Sequence, residues 1–477
     1  MTETLTTPPP ARPAVPPSPV LGGAGLFTVL LGAALPLVDF FVVNVALPAI
    51  ATGLSAGEAV LELVVAGYGV AYAVLLVLGG RLGDLFGRRR LFLVGMAAFG
   101  LTSLACGLAP GAWWLVAARV AQGASAAAML PQVLATVQAT TSGPRRAKAM
   151  SLYGATAGLA MVAGQILGGV LVTADVAGTG WRSVFLINVP VVLAGLPLAA
   201  RAVPETRSAR PEPVDVPGTL LLAAALIALL LPLTEGRAAG WPLWTWLSLA
   251  AFPCAAAAFW AVERGADRRG RTPLVPPSLF ALVSLRRGLL LVLPFSIGFS
   301  GFMFVIAVAL QQGAGLTPVA AGLTLAPLAV TFFLASLAGP RLVVRYGTRV
   351  VPAGAVVQAV GVTLLILAAW RYWPHLGFAA LLPGAAVAGA GQGLQLPVVF
   401  RVVLSEVPAA KAGVGGGVMV TTQQSALALG VATLGTLFLT LTPGAGMRDA
   451  LLITLLVQLA GVVLTGLLSL RLPRTVG

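Results

Sequence analysis

The 477-residue sequence has few charged groups: Asp, Glu, Lys and Arg make up 9% of it, with 14 acidic residues, one histidine and two cysteines. Ordinary soluble domains carry roughly 25% charged residues. A water-soluble fold with 58% apolar residues could not hide that much surface and remain dispersed, so lipid must solvate most of the chain. Cys106 and Cys254 lie in separate apolar runs, which excludes a disulfide framework and leaves buried free thiols as the expectation. The lone His375 cannot build a metal site. No Walker A sequence occurs, which argues against ATP-driven transport, and no catalytic constellation points to an enzyme. Gly389-Ala390-Gly391-Gln392-Gly393 has the look of a nucleotide loop, but it follows no strand and sits in an apolar run.

The formal charge of +15 would suggest nucleic acid in a soluble protein. Here the basic residues, all Arg except Lys148 and Lys411, occupy short interruptions between apolar runs and form no single basic face. They read as topology signals. Residues 1–20 are rich in Pro and Thr and are expected to form a disordered cytoplasmic tail. The first apolar run, 25–48, is too long for a cleaved signal peptide.

A bilayer core of about 30 Å takes about 20 helical residues. Candidate spans fall at 25–48, 59–80, 91–109, 113–136, 148–173, 181–200, 216–233, 241–262, 288–311, 319–340, 350–370, 376–398, 413–440 and 449–470. The runs are continuously apolar, not alternating, which excludes a β-barrel. With both termini inside, 24 basic residues face the cytoplasm, while Arg182, Arg237, Arg371 and Arg448 face outward and Arg119 lies within a span. That bias supports about fourteen spans.

The chain also repeats itself. Arg81-Leu82-Gly83-Asp84-Leu85-Phe86-Gly87-Arg88-Arg89 follows the second span, and Arg341-Leu342-Val343-Val344-Arg345-Tyr346-Gly347-Thr348-Arg349 follows the tenth. The expected domains are an N-terminal six-helix bundle (21–200), a linker with two extra helices (201–287) and a C-terminal six-helix bundle (288–477). Paired six-helix repeats place a substrate site between the halves near the midplane.

Four motifs carry a family resemblance. Gly80-Arg81-Leu82-Gly83-Asp84-Leu85-Phe86-Gly87-Arg88-Arg89-Arg90 lies between spans 2 and 3. Leu115, Arg119, Gln122, Gly123 and Ala127 lie in span 4, and Gly158, Gly164, Gln165, Gly168 and Gly169 in span 5. Asp39-Phe40-Phe41-Val42-Val43-Asn44-Val45-Ala46-Leu47-Pro48 closes span 1. In these the chain resembles the major facilitator superfamily, and within it the fourteen-span drug:proton antiporters. Further agreement comes from the segment from Trp181 through Asn188 to Pro190 and, more weakly, from Asp215 and Gly218. The antiporter motif ordinarily has Pro where this chain has Gln165. The resemblance implies an all-α membrane fold of two bundles plus two inserted helices. It also implies a cytoplasmic latch of Gly80, Gly83, Asp84, Gly87, Arg88 and Arg89, and an antiporter-type packing motif of Gly158, Gly164, Gly168 and Gly169.

Of the acidic residues, Asp39 alone sits well within a span, about 13 Å from its outer end, and Arg119 sits about 9 Å from the outer end of span 4. A charge at such depth must find a partner or a cavity. Hydrocarbon favours the neutral acid, and a guanidinium favours the carboxylate. Those opposed terms suit Asp39 to carry a coupling proton beside Arg119. The competing readings are a permanent structural pair and direct capture of a cationic substrate. Phe40, Gln122, Gln392 and Gln395 are the candidate substrate-cavity residues. The resulting expectation is a bacterial plasma-membrane exporter of an amphipathic drug or natural product in exchange for protons, without cofactor or metal and functional as a monomer. A major facilitator importer or a facilitator with different coupling is the alternative, and a non-transporting receptor is the more remote one.

Overall fold

A computed structural model describes residues 21–175, 178–207, 215–236, 239–271, 273–408 and 411–472. The N-terminal tail, Arg237 and the side chain of Gln165 lie outside the described residues. Within them all regular structure is helical: α1 Gly23–Leu54, α2 Glu58–Phe86, α3 Arg88–Gly107, α4 Ala112–Thr140, α5 Gly143–Ala174, a short α6 Ser183–Leu186, α7 Asn188–Ala202, α8 Val216–Glu235, α9 Leu243–Arg268, α10 Val283–Val308, α11 Pro318–Tyr346, α12 Val350–Tyr372, α13 Phe378–Leu404, α14 Ala412–Gly430 and α15 Thr436–Ser469. In lipid a helix satisfies its own N–H and C=O groups, so continuous apolar sequence becomes continuous helix.

Among the described residues, 12 helical stretches are long and apolar enough to cross a membrane, against the fourteen expected. One of them, Ala412–Ser469, covers 58 residues. A straight helix of that length would reach about 87 Å, nearly three bilayer cores. Gly446, at φ 80° and ψ 159°, is non-helical within it. α5, 32 residues long, is not among the twelve, although its sequence carries no charge from Met150 to Ala174.

Helices α1 to α7 pack on one another, α2 chiefly on α4 and α1 on α5, while α10 to α15 form a second group in which α11 and α12 both pack on α13. The groups meet where α2 lies on α14 and α5 on α11. The repeated motif that ends α2 also ends α11, and both are stopped by glycines at positive φ, Gly87 (107°) and Gly347 (61°). Side chains other than glycine pay a steric cost there. The inserted α8 packs on α9, α2 and α14. Helix α9 buries little of itself, its buried residues being Thr245 and Glu263 and the rest exposed or half-buried. That corrects one expectation: Cys106 is buried but Cys254, on α9, is exposed.

Candidate transport and coupling site

Asp39 occupies the middle of α1, and neither of its carboxylate oxygens reaches water. Arg119 of α4 donates from Nη1 to Asp39 Oδ2 at 2.5 Å, with both side chains fully buried. Asp39 Oδ1 accepts from Gln122 Nε2 at 3.0 Å and from Asn188 Nδ2 of α7 at 2.8 Å. Both amides also donate to Ser103 Oγ of α3, at 3.1 and 2.9 Å, and that hydroxyl donates to the Phe185 carbonyl at 3.0 Å. Four helices of one bundle therefore converge on a single carboxylate.

The guanidinium has further partners. Its Nε donates to the Val64 carbonyl at 3.1 Å, Nη1 also donates to Gln122 Oε1 at 2.8 Å, and its carbon lies 4.1 Å above the Tyr68 ring. Tyr68 is fixed in turn by donating to the Pro36 carbonyl at 2.9 Å. A cation over an aromatic face, desolvated, gains on the order of 2 kcal/mol. Arg119 thus keeps neutral contacts that do not depend on the charge of Asp39. Ser103 and Tyr68 do not stand out in the sequence as parts of this cluster, and Asn188 does so only as a member of a matching segment. A Ser or Asn within an apolar run is the available signal.

The four candidate cavity residues separate. Gln122 has both ends of its amide engaged by the ion pair. Gln395 donates to Gln358 Oε1 of α12 at 2.7 Å and to the Gly391 carbonyl at 3.0 Å, an arrangement internal to the second bundle. Gln392 is buried with its Oε1 unpartnered among the described residues. Phe40 is half-buried, its ring centroid 5.3 Å from that of Phe41 and 6.2 Å from that of Tyr68.

The motif between α2 and α3 forms a compact junction. Arg88 Nη2 pairs with Asp84 Oδ1 at 2.8 Å, both nearly buried. Arg81 donates to the Pro273 carbonyl and Arg89 to the Ala200 carbonyl. The Asp84 carboxylate faces Gly413 of α14, so the junction spans both helix groups. A methyl added at Gly80 would stand 2.4 Å from the Gly413 carbonyl oxygen, so the two backbones touch. On α5, Gly164 and Gly168 lie against α1 at Val38, Phe41, Val42 and Val45, while Gly158 and Gly169 lie against Phe332 and Val319 of α11. The span-5 glycines are therefore packed toward both bundles. Among the described residues no three His, Cys, Asp or Glu side chains gather as a metal site.

A multi-helix membrane fold, two helix groups facing each other across repeated interfaces and an ion pair deep in one of them together describe a membrane transporter. The particular family follows from comparison: the Major Facilitator Superfamily model matches residues 29–431, and the chain belongs to that family. It is 39% identical over 412 residues, 86% of this chain and 71% of the relative, to a probable actinorhodin transporter of Streptomyces coelicolor. It is 33% identical to the multidrug resistance protein Stp of Mycobacterium tuberculosis, covering 87% of this chain and 74% of that one. The tetracenomycin C resistance and export protein of Streptomyces glaucescens is 33% identical, with 86% and 75% covered. In fold the chain is similar to the human organic anion transporter MFSD10 (TETRAN), with a TM-score of 0.66, 16% identity and coverage of 94% and 99%. The protein is thus a multi-pass transporter of small molecules, related to antibiotic export and resistance proteins.

Proposed function

We propose that this chain exports an amphipathic drug or natural product in exchange for protons, by alternating access, with Asp39 as the proton carrier and Arg119 as its charge partner. The carrying observation is the fully buried Asp39–Arg119 pair in which Arg119 retains the Val64 carbonyl, Gln122 Oε1 and the Tyr68 ring as other partners. Protonating Asp39 removes the attraction between the pair, while Arg119 keeps these neutral contacts and its Nη2 has no hydrogen-bond partner among the described residues. Removing the proton restores a carboxylate already supplied with two amide donors. Two protonation states of similar free energy are what a carrier needs. The tetracenomycin C resistance and export protein among the relatives supports the direction of transport, and it and the probable actinorhodin transporter support the class of substrate.

The topology that goes with this reading has fourteen spans: the 58-residue stretch folds back at Gly446 into two, and α5 crosses as well. The bundles are residues 21–200 and 288–477, joined by the linker 201–287. Both termini and the Arg81–Arg89 junction lie on the cytoplasmic side of a bacterial plasma membrane. The junction of Gly80, Gly83, Asp84, Gly87, Arg88 and Arg89 latches the cytoplasmic side while the outer side is open, and Gly158, Gly164, Gly168 and Gly169 form the antiporter-type packing seam. Phe40 and Gln392 face the substrate, and one copy of the chain suffices for transport.

The test uses inside-out vesicles with an imposed pH gradient and a screen of fluorescent cations and endogenous metabolites. Asp39→Asn is expected to abolish gradient-driven accumulation while leaving downhill exchange of substrate. Undiminished uphill export by Asp39→Asn would overturn the carrier role. Substrate movement without proton flux in the native chain would favour a facilitator.

A further inference from the structure

Glu263 lies on the exposed helix α9, about 8 Å from its end by helical rise, yet its side chain is fully buried. Its Oε2 accepts from the Val275 backbone N–H at 2.8 Å, while Oε1 has no hydrogen-bond donor among the described residues. Across from it is Asp215, the N-cap of α8, whose Oδ1 accepts from the Gly218 N–H at 3.0 Å and whose Oδ2 likewise has no donor among the described residues. The two carboxyls are within hydrogen-bonding reach of each other. The contact closes over Gly218: a methyl built there would lie 2.2 Å from Glu263 Oε1 and 2.6 Å from Asp215 Oδ2. Two acceptors in contact with no donor between them repel unless a proton bridges them.

The groups facing Glu263 set how many protons the pair holds. Asp215 faces it from α8 and Arg81 from α2, while the strap 273–275 presents the Val275 N–H together with the buried side chains of Leu274 and Val275. With one proton shared, Asp215, Glu263 and Arg81, together with the Asp84–Arg88 pair that Arg81 also faces, sum to zero charge among the described residues. Buried sites favour neutrality because isolated charge is costly away from water. The strap runs from Arg81, which donates to the Pro273 carbonyl, to the Val275 N–H held by Glu263. It then continues through a short turn, Pro277–Ala281, into α10, the first helix of the second bundle.

We infer that Asp215 and Glu263 form a second proton-binding site, one proton held between two carboxyls, whose occupancy is tied through the strap 273–275 to the junction of the two bundles at Arg81. This gives the inserted helices α8 and α9 a task that their lipid-facing surfaces do not suggest. Losing the proton leaves two carboxylates beside one guanidinium and pushes them apart. Because Glu263 holds Val275 and Arg81 holds Pro273, that separation pulls on the connection between the bundles. The inference is independent of the role of Asp39.

The test is an infrared pH titration of the full-length protein in liposomes, following the protonated-carboxyl band. In Glu263→Gln the amide accepts from Val275 and donates to Asp215 Oδ2, so the fold is kept and no proton is needed. Loss of one titrating band in Glu263→Gln and in Asp215→Asn, with the same band retained in Asp39→Asn, is the expected result. A band set unchanged in Glu263→Gln would sink the inference. Coupling is read by spin labels at Phe86 and Val344, in a background lacking Cys106 and Cys254. Their separation should shift with pH in Asp39→Asn and stay fixed in the double variant Asp39→Asn with Glu263→Gln. The same pH shift in both variants would overturn the link to the bundles.

Discussion

The two bundles share a packing scaffold and differ in chemistry. In the first, Gly123 of α4 brings its backbone against α2, and a methyl there would lie 2.3 Å from the Tyr68 carbonyl oxygen. In the second, Gly389 of α13 does the same against α11, 2.0 Å from the Leu328 carbonyl oxygen. Tyr68 and Leu328 are separated by the same interval in sequence as Arg81 and Arg341, so the contact recurs in register with the repeated motif. The positions around it diverged. Four residues before Gly123 stands Arg119, and four before Gly389 stands Ala385; Gln122 likewise corresponds to Ala388. All four are buried. One half concentrates charge around Asp39, while the other fills the equivalent space with methyl groups and keeps a pair of amides, Gln358 and Gln395. In the proposed mechanism the carrier Asp39 belongs to the first bundle, and the second bundle serves as the surface against which it moves.

The largest effect should come from making the first bundle resemble the second by one residue only. Arg119→Leu removes the cation but leaves Asp39 in a buried site, and breaking such a pair costs about 3–5 kcal/mol. The thermal midpoint in detergent should fall sharply and export should cease. Replacing both partners, Asp39→Leu with Arg119→Leu, should recover much of the stability, since apolar residues of similar volume often substitute for a buried pair at little cost. Export would stay absent. A double variant as unstable as the single one would show that Gln122 and Asn188, not the pair, organise the core.

An intermediate effect tests whether the scaffold really is shared. Gly123→Ala and Gly389→Ala each force a methyl onto a carbonyl oxygen. Overpacking of this kind costs about 1–3 kcal/mol. The two variants should lose similar amounts of thermal stability. A loss confined to Gly123→Ala would mean that the second bundle tolerates separation of α11 and α13, and the equivalence would fail.

Legibility in the sequence followed cost. Asp39 and Arg119 announce themselves because a charge in hydrocarbon is too expensive to leave unpaired, and each is the clear exception in its own run. The motif before α3 was legible because glycine at positive φ and an acid between arginines leave a local trace. Ser103 and Asn188 are cheap to place in a span, so nothing local distinguishes a network member from a helix-packing residue. Gln122 shares a face with Arg119, but whether that face meets substrate or ion pair depends on α1 and α7. Glu263 lies just beyond the apolar run expected to stop at 262, and an acid there reads as interfacial. Its burial is produced by Asp215, Gly218 and the strap, which come from other parts of the chain. Cys254 failed for the opposite reason: an apolar run shows no preference between protein and lipid as neighbour, and α9 faces lipid. The helices of the described residues give 12 spans where the loop charges predicted fourteen, and Gly446 interrupts one long helical stretch without ending it.

The smallest expected effect lies in the second bundle, and it separates polar packing from transport chemistry. Gln395 donates to Gln358 Oε1 between α12 and α13, where a Cβ at Gly354 would lie 2.9 Å from the Gln395 side chain. Interhelical hydrogen bonds of this type contribute about 0.6 kcal/mol on average. Gln395→Leu should therefore lower the thermal midpoint slightly and leave gradient-driven export intact, since no titrating group is touched. The single variant leaves Gln358 Oε1 without this donor, so part of its cost belongs to the abandoned partner. Adding Gln358→Leu should return that part, making the double variant at least as stable as the single. If Gln395→Leu instead abolished export while keeping the fold, the amide pair would belong to the transport path, and the second bundle could no longer be regarded as the uncharged surface against which Asp39 works.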